Sequence, residues 1–111
     1  MEFGYLNSLT RLDLHSNALT NVLPNELDNL NALEYLDLSD NLLEGPLPYI
    51  WRMPLTDLLL GSNDLSGTLP SDIKYLTKLQ SLNISGTRLS GSIPSDIYRL
   101  TKLLNLDLHD N

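Results

Sequence analysis

One frame of residues returns along this chain five times, and that recurrence confines it to folds in which each unit stacks on the next. The segment L-x-x-L-x-L starts at Leu9, Leu33, Leu55, Leu79 and Leu103, at intervals of 24, 22, 24 and 24 residues. Eight residues after each start stand Asn17, Asn41, Asn63 and Asn111, with Thr87 in the fourth copy. The second half of the unit recurs too, as Leu43-x-Gly45-x-Leu47-Pro48, Leu65-x-Gly67-x-Leu69-Pro70 and Leu89-x-Gly91-x-Ile93-Pro94. In the first unit, Leu19-x-x-x-Leu23-Pro24, Asn21 takes the glycine position. Asn tolerates a left-handed backbone better than most residues, so the turn is expected to survive there.

The two halves of the unit call for different local structures. In Leu36-Asp37-Leu38 or Leu58-Leu59-Leu60 the first and third side chains share a face, as on a strand. Identical strands stacked unit on unit give a parallel sheet. After the prolines, apolar residues follow at three and six steps, as Leu27 and Leu30, Ile73 and Leu76, Ile97 and Leu100. That rhythm predicts a short helical or 3₁₀ segment, with Pro fixing φ at its start. Ser71-Asp72 and Ser95-Asp96 are expected to accept hydrogen bonds from the free N–H groups of that first turn. The second unit is shorter, and Pro54 stops its helical turn. A tighter back is expected there, filled by Trp51 in the place of Leu27, Ile73 and Ile97.

The whole chain, 1–111, reads as one domain: a partial unit over 1–8, units starting at 9, 33, 55 and 79, and a partial unit over 103–111. Phe3 and Leu6 stand 24 residues before Leu27 and Leu30, inside the back of an earlier unit. Solenoids normally cover their ends with polar caps, and neither end here carries one. The chain is therefore expected to be a segment of something longer, and its open edges invite end-to-end or edge self-association.

Composition excludes several classes of function. With no cysteine there is no disulfide framework and no thiolate metal site. A net charge of −7 repels phosphate, which argues against nucleic acid and acidic membranes as partners. No apolar run approaches the roughly 20 residues that span a bilayer, so no membrane insertion is expected of this segment. The first ten residues lack the basic and apolar regions of a signal peptide.

On these residues the chain resembles the leucine-rich repeat. The 24-residue unit with L-x-x-L-x-L-x-x-N-x-L-x-G-x-[IL]-P is similar to the plant-specific subclass in receptor-like kinases and receptor-like proteins. The resemblance implies an α/β, right-handed horseshoe solenoid. A parallel β-sheet lines its concave face, and short helical, 3₁₀ or turn segments form its convex face. It also implies an Asn ladder bonding the backbone of adjacent turns, here Asn17, Asn41, Asn63 and Asn111. Thr87 departs from it, because a hydroxyl satisfies fewer backbone groups than an amide.

Outward strand positions form the candidate binding surface: Arg11, Asp13 and His15, then Tyr35 and Asp37, Asp57 and Leu59, Ser81 and Asn83, and Asn105, Asp107 and His109. Asp13, Asp37 and Asp107 share a column, which reads either as an acidic stripe for a basic peptide or as soluble filler between leucines. Tyr35 and Leu59 are candidate contact anchors. His15 and His109 share a column but stand four strand spacings of about 4.8 Å apart, about 19 Å, too far to ligate one metal. The glycines serve one turn each and build no phosphate loop. No catalytic set recurs, so neither an enzyme nor a cofactor is expected. Asn83-Ile84-Ser85 is an N-glycosylation sequon. Arg52, Lys74, Lys78, Arg88, Arg99 and Lys102 fall mostly on the back or in loops, as a solvated convex face.

The chain thus reads as a non-catalytic protein- or peptide-binding module, from a receptor-like or secreted recognition protein. Alternatives are an intracellular scaffold and a passive segment of a longer solenoid whose ligand site lies elsewhere. The expected place is the cell surface or outside the cell, as part of a membrane-anchored parent, with the cytoplasm as the alternative.

Overall fold

Each L-x-x-L-x-L segment closes into a three-residue strand whose central leucine points inward. A computed structural model describes residues 5–111, and Phe3 lies outside them. In chain order the strands are β1 (Arg11–Asp13), β2 (Thr20–Val22), β3 (Tyr35–Asp37), β4 (Leu42–Pro46), β5 (Asp57–Leu59), β6 (Asp64–Thr68), β7 (Ser81–Asn83), β8 (Arg88–Ser90) and β9 (Asn105–Asp107). The odd-numbered strands form a five-stranded sheet in the order β1-β3-β5-β7-β9. Every pairing is parallel and in register, so that Leu12, Leu36, Leu58, Leu82 and Leu106 stack in one column. Leu36, Leu58 and Leu82 are each 1% exposed, whereas Leu106 in the last strand is 46% exposed. A leucine is buried only by a neighbour on both sides, as a stacked solenoid requires.

The turn half of the unit is more regular than the sequence suggests. β2, β4, β6 and β8 form a second parallel sheet of four strands. It exists because the glycine-containing stretch recurs at nearly fixed spacing, so its N–H and C=O groups meet those of the next unit. The expected turn conformation also holds. Asn21 (φ 71°), Gly45 (78°), Gly67 (89°) and Gly91 (82°) are all left-handed. At Gly45 a side chain is excluded twice over, since a Cβ would also stand 2.9 Å from Val22 Cγ2.

On the convex side, 3₁₀ turns span Asn25–Asn29, Ser71–Tyr75 and Ser95–Arg99, as the proline-led rhythm predicts. The capping expectation fails. None of these turns has a side-chain cap hydrogen bond, and Asp96 instead accepts from Arg99 Nε at 3.3 Å. The second unit has no 3₁₀ helix. Trp51 is buried there as expected, at 3% exposure. The Met53 N–H, however, donates to the Ile50 carbonyl at 3.4 Å, as Leu30 N–H does to Leu27. Ile50 rather than Trp51 therefore holds the position of Leu27, and Trp51 fills the extra space of the shortened back.

Between the two sheets runs the amide ladder. Asn41 Nδ2 donates to Leu14 O at 3.0 Å in the preceding unit and to Leu38 O and Ser39 O at 3.1 Å in its own; its Oδ1 accepts from Leu19 N at 3.0 Å. Asn63 repeats the set with Leu38, Leu60, Gly61 and Leu43. Asn17 bonds Leu14 O and His15 O, and Asn111 reaches Ile84, Leu108 and His109. Each ladder position follows a left-handed residue: Ser16, Asp40, Ser62, Gly86 and Asp110 have φ between 53° and 61°. Among the described residues no buried side-chain nitrogen or oxygen lacks a hydrogen-bond partner.

Candidate ligand-binding face

The first sheet presents its outward side chains in two in-register columns, Arg11-Tyr35-Asp57-Ser81-Asn105 and Asp13-Asp37-Leu59-Asn83-Asp107. Successive members stand about 4.8 Å apart, so side chains on neighbouring strands touch. His15 and His109 follow two residues after the Asp at either end.

The N-terminal strands carry the densest arrangement. The Arg11 guanidinium lies 3.6 Å from the centroid of the Tyr35 ring and donates to Asp13 Oδ2 at 3.0 Å. Stacking plus a charge-assisted bond orients both groups. His15 Nδ1 stands 2.6 Å from Asp13 Oδ1 and 4.0 Å from Asp37 Oδ2. The hydrogen bond that His15 donates to Asp13, and then the charge of Asp13, raise the His15 pKa above 6.5, and the same bond lowers that of Asp13. Burial, followed by the charge on Asp37, raises the Tyr35 phenol, so its O–H remains a donor to Asp37 Oδ2 at 3.3 Å.

Asp37 differs from its expected place on an exposed acidic stripe. It is only 7% exposed, and its Oδ1 accepts the Ser39 N–H at 3.0 Å and the Ser39 hydroxyl at 2.6 Å. Asn83 is held alike by Ser85 N–H at 2.9 Å and hydroxyl at 2.7 Å. The column acceptor thus fixes the bend after its own strand, which is a structural role that neither the stripe nor the filler reading includes. The sequon asparagine is therefore on the concave strand with its oxygen engaged.

Leu59 and Tyr35 are both half-buried, with Leu59 at the middle of the face. Beyond it, Ser81 accepts from Asn105 Nδ2 at 3.2 Å. A shallow groove runs there between Leu59, Asn83, Leu104 and Asp107. At the far end His109 Nδ1 bonds Asp107 and Nε2 lies 3.5 Å from Asp110. Asp57 is tied to Thr56 Oγ1 at 2.8 Å.

His15 meets Asp13 and Asp37, not His109. His15, Asp13 and Asp37 bring one donor atom each within 4.8 Å of one another. The signal was present as Asp-x-His on one strand with Asp at the matching position of the next. Arg88 pairs with Asp64 at 3.4 Å, and Lys74 and Arg99 flank exposed Tyr75 and Tyr98 on the convex side. No helix among the described residues is long and apolar enough to cross a membrane.

Comparison with known proteins places this geometry. A family model described as leucine-rich repeat matches residues 2–43, and a second of the same description matches 54–76 and 78–100. Receptor-like protein 31 of Arabidopsis thaliana is 42% identical over 77 residues, which are 67% of this chain and 9% of that relative. The chain thus spans less than a tenth of that relative's length. Among solved structures, the Arabidopsis receptor kinase HAESA ectodomain in complex with an IDA peptide hormone superposes with TM-score 0.91 at 38% identity, over 97% of this chain and 19% of that one. The plant peptide hormone receptor RGFR1, in complex with RGF2, gives 0.88 at 36%, over 99% and 18%.

Proposed function

This chain belongs to the leucine-rich-repeat family, in the class of plant receptor-like proteins and receptor kinases, and from that premise we propose that it is a non-catalytic module binding an extended peptide or protein segment across its concave sheet. The observation that carries the reading is the unbroken register of the five-stranded sheet, which holds Tyr35 and Leu59 at fixed spacing beside polar groups. Rigid display lowers the entropy cost of binding, because few side chains need ordering when the partner arrives. Half-buried aromatic and aliphatic anchors with a polar surround are the usual makings of a contact centre. The complexes of similar ectodomains with peptide hormones support a peptide as the partner. Asp13, Asp57 and Asp107, facing Arg11 alone in the two columns, favour a peptide with at least one cation.

A second reading has its own support. Leu104 and Leu106 are 77% and 46% exposed at the last strand, which suits a unit that stacks against another. In that case the chain extends a longer solenoid and contributes no contact of its own. Selection of a displayed peptide library on the folded chain distinguishes the two. The binding module enriches a shared motif whose retention is lost in Tyr35→Ala/Leu59→Ala. The passive segment enriches none, or enriches the same motif with the double variant, and either result overturns the proposal.

A further inference from the structure

We propose that Asp13, His15 and Asp37 form a binding site for a first-row divalent transition-metal ion of the zinc class. Imidazole nitrogen with two carboxylate oxygens is a donor set such ions accept, and three protein donors leave a coordination position open to water or a ligand. The donor atoms all lie within 4.8 Å of one another, with Nδ1 2.6 Å from Asp13 Oδ1 and 4.0 Å from Asp37 Oδ2. Tetrahedral donors about 2.1 Å from an ion stand about 3.4 Å apart, so the set brackets what is needed. Asp13 and His15 are exposed and free to make the adjustment.

Each carboxylate already has its other oxygen held. Arg11 occupies Asp13 Oδ2, while Ser39 N–H and hydroxyl occupy Asp37 Oδ1. The oxygens facing His15 are thereby oriented, as outer-shell donors orient metal ligands. On binding, the ion takes the place of the proton between Nδ1 and Asp13; the imidazolium releases that proton to solvent and the neutral ring carries its remaining proton on Nε2.

The molecule contains its own control. Asp107-Leu108-His109 repeats Asp13-Leu14-His15, but Asp37 lies on the strand that follows β1, whereas among the described residues no strand follows β9, whose neighbour β7 lies on its other side. His109 therefore lacks the carboxylate that Asp37 supplies beside His15, so one end of the face binds and the other does not.

Titration of the 111-residue chain with zinc chloride by isothermal calorimetry at physiological ionic strength is expected to give one saturable site. His15→Ala abolishes it, and His109→Ala leaves it unchanged. Asp37→Asn weakens it at least about tenfold. That change retains the Ser39 bonds, as Asn83 retains those of Ser85. No saturable uptake by the parent chain, equal losses in His15→Ala and His109→Ala, or undiminished binding in Asp37→Asn each overturns the proposal.

Discussion

The Thr87 hydroxyl donates to the Asn111 amide oxygen one repeat away, and this contact marks the break in the ladder. Elsewhere that amide oxygen takes a backbone N–H, as Asn41 takes Leu19 and Asn63 takes Leu43. At the break Leu89 N–H donates to Thr87 Oγ1 at 3.3 Å, and Thr87 passes the bond on. The Ile84 carbonyl, 3.0 Å from the same hydroxyl, competes for its single proton, and Thr87 makes no bond back to Leu60 O. Thr87→Asn restores an amide that reaches Leu60 O. It is expected to stabilise the chain by about 0.5–2 kcal/mol, read from urea unfolding with an unchanged slope. A loss of stability contradicts this role for Thr87.

Asn41→Ala tests the ladder from the other side. It strands the Leu19 N–H and removes one of two donors from each of the Leu14, Leu38 and Ser39 carbonyls, which keep Asn17, Asn63 and the Ser16 N–H. With one donor left unsatisfied, the expected loss is about 1–3 kcal/mol. Asn17→Ala removes bonds at the exposed first unit only and costs less.

Core truncations should scale with stacking on both sides. Leu58→Ala, at a position 1% exposed, is expected to cost about 2–5 kcal/mol. Leu106→Ala, at 46% exposure in the same column, costs less than half as much. Equal losses in thermal or urea unfolding contradict the stacked arrangement.

At Gly61 the backbone is closely approached. A Cβ there would stand 2.8 Å from Asn83 Oδ1 and 3.1 Å from Ser85 O. Gly61→Ala is expected to destabilise by about 1–3 kcal/mol and to shift the Asn83 side-chain amide resonances.

Much of this was legible in the sequence, for reasons that particular residues make clear. The common place of Arg11 and Tyr35 in the L-x-x-L-x-L frame sets their pairing directly, because equivalent strands of successive units stack side by side, and the shortened second unit keeps the same register. The ladder followed from Asn at one offset from the strand. The second sheet was not legible, since a glycine turn and a short strand share the same composition. Nor was the burial of Asp37. Alternation assigns it outward, and only the Ser39 N–H and hydroxyl, two residues on, draw it down against the chain. The capping role given to Ser71-Asp72 and Ser95-Asp96 failed because proximity in sequence does not set side-chain direction.

His109 gives the pH dependence. Its hydrogen bond with Asp107, and then the charge of Asp107, raise its folded pKa above 6.5. The stabilisation is therefore fully present below about pH 6.5 and fades as pH rises through the raised folded value. The Asp107 carboxyl is lowered, first by that same bond, so its share is present above 3.8 and is lost as pH falls through the depressed value. An NMR titration of the His109 ring protons should give a midpoint above 6.5 that falls back in Asp107→Asn. Identical midpoints in the two proteins contradict the pairing.

The most direct test of the concave face as the binding surface is amide chemical-shift mapping of a library-selected peptide on the isotope-labelled chain. The expected result is a continuous band of perturbations across the strands that carry Arg11, Tyr35, Asp57, Leu59 and Ser81, with the convex turns at Tyr75 and Tyr98 unmoved. Perturbations confined to Tyr75, Tyr98 and their neighbours, or to the open edge at Leu104 and Leu106, would contradict it.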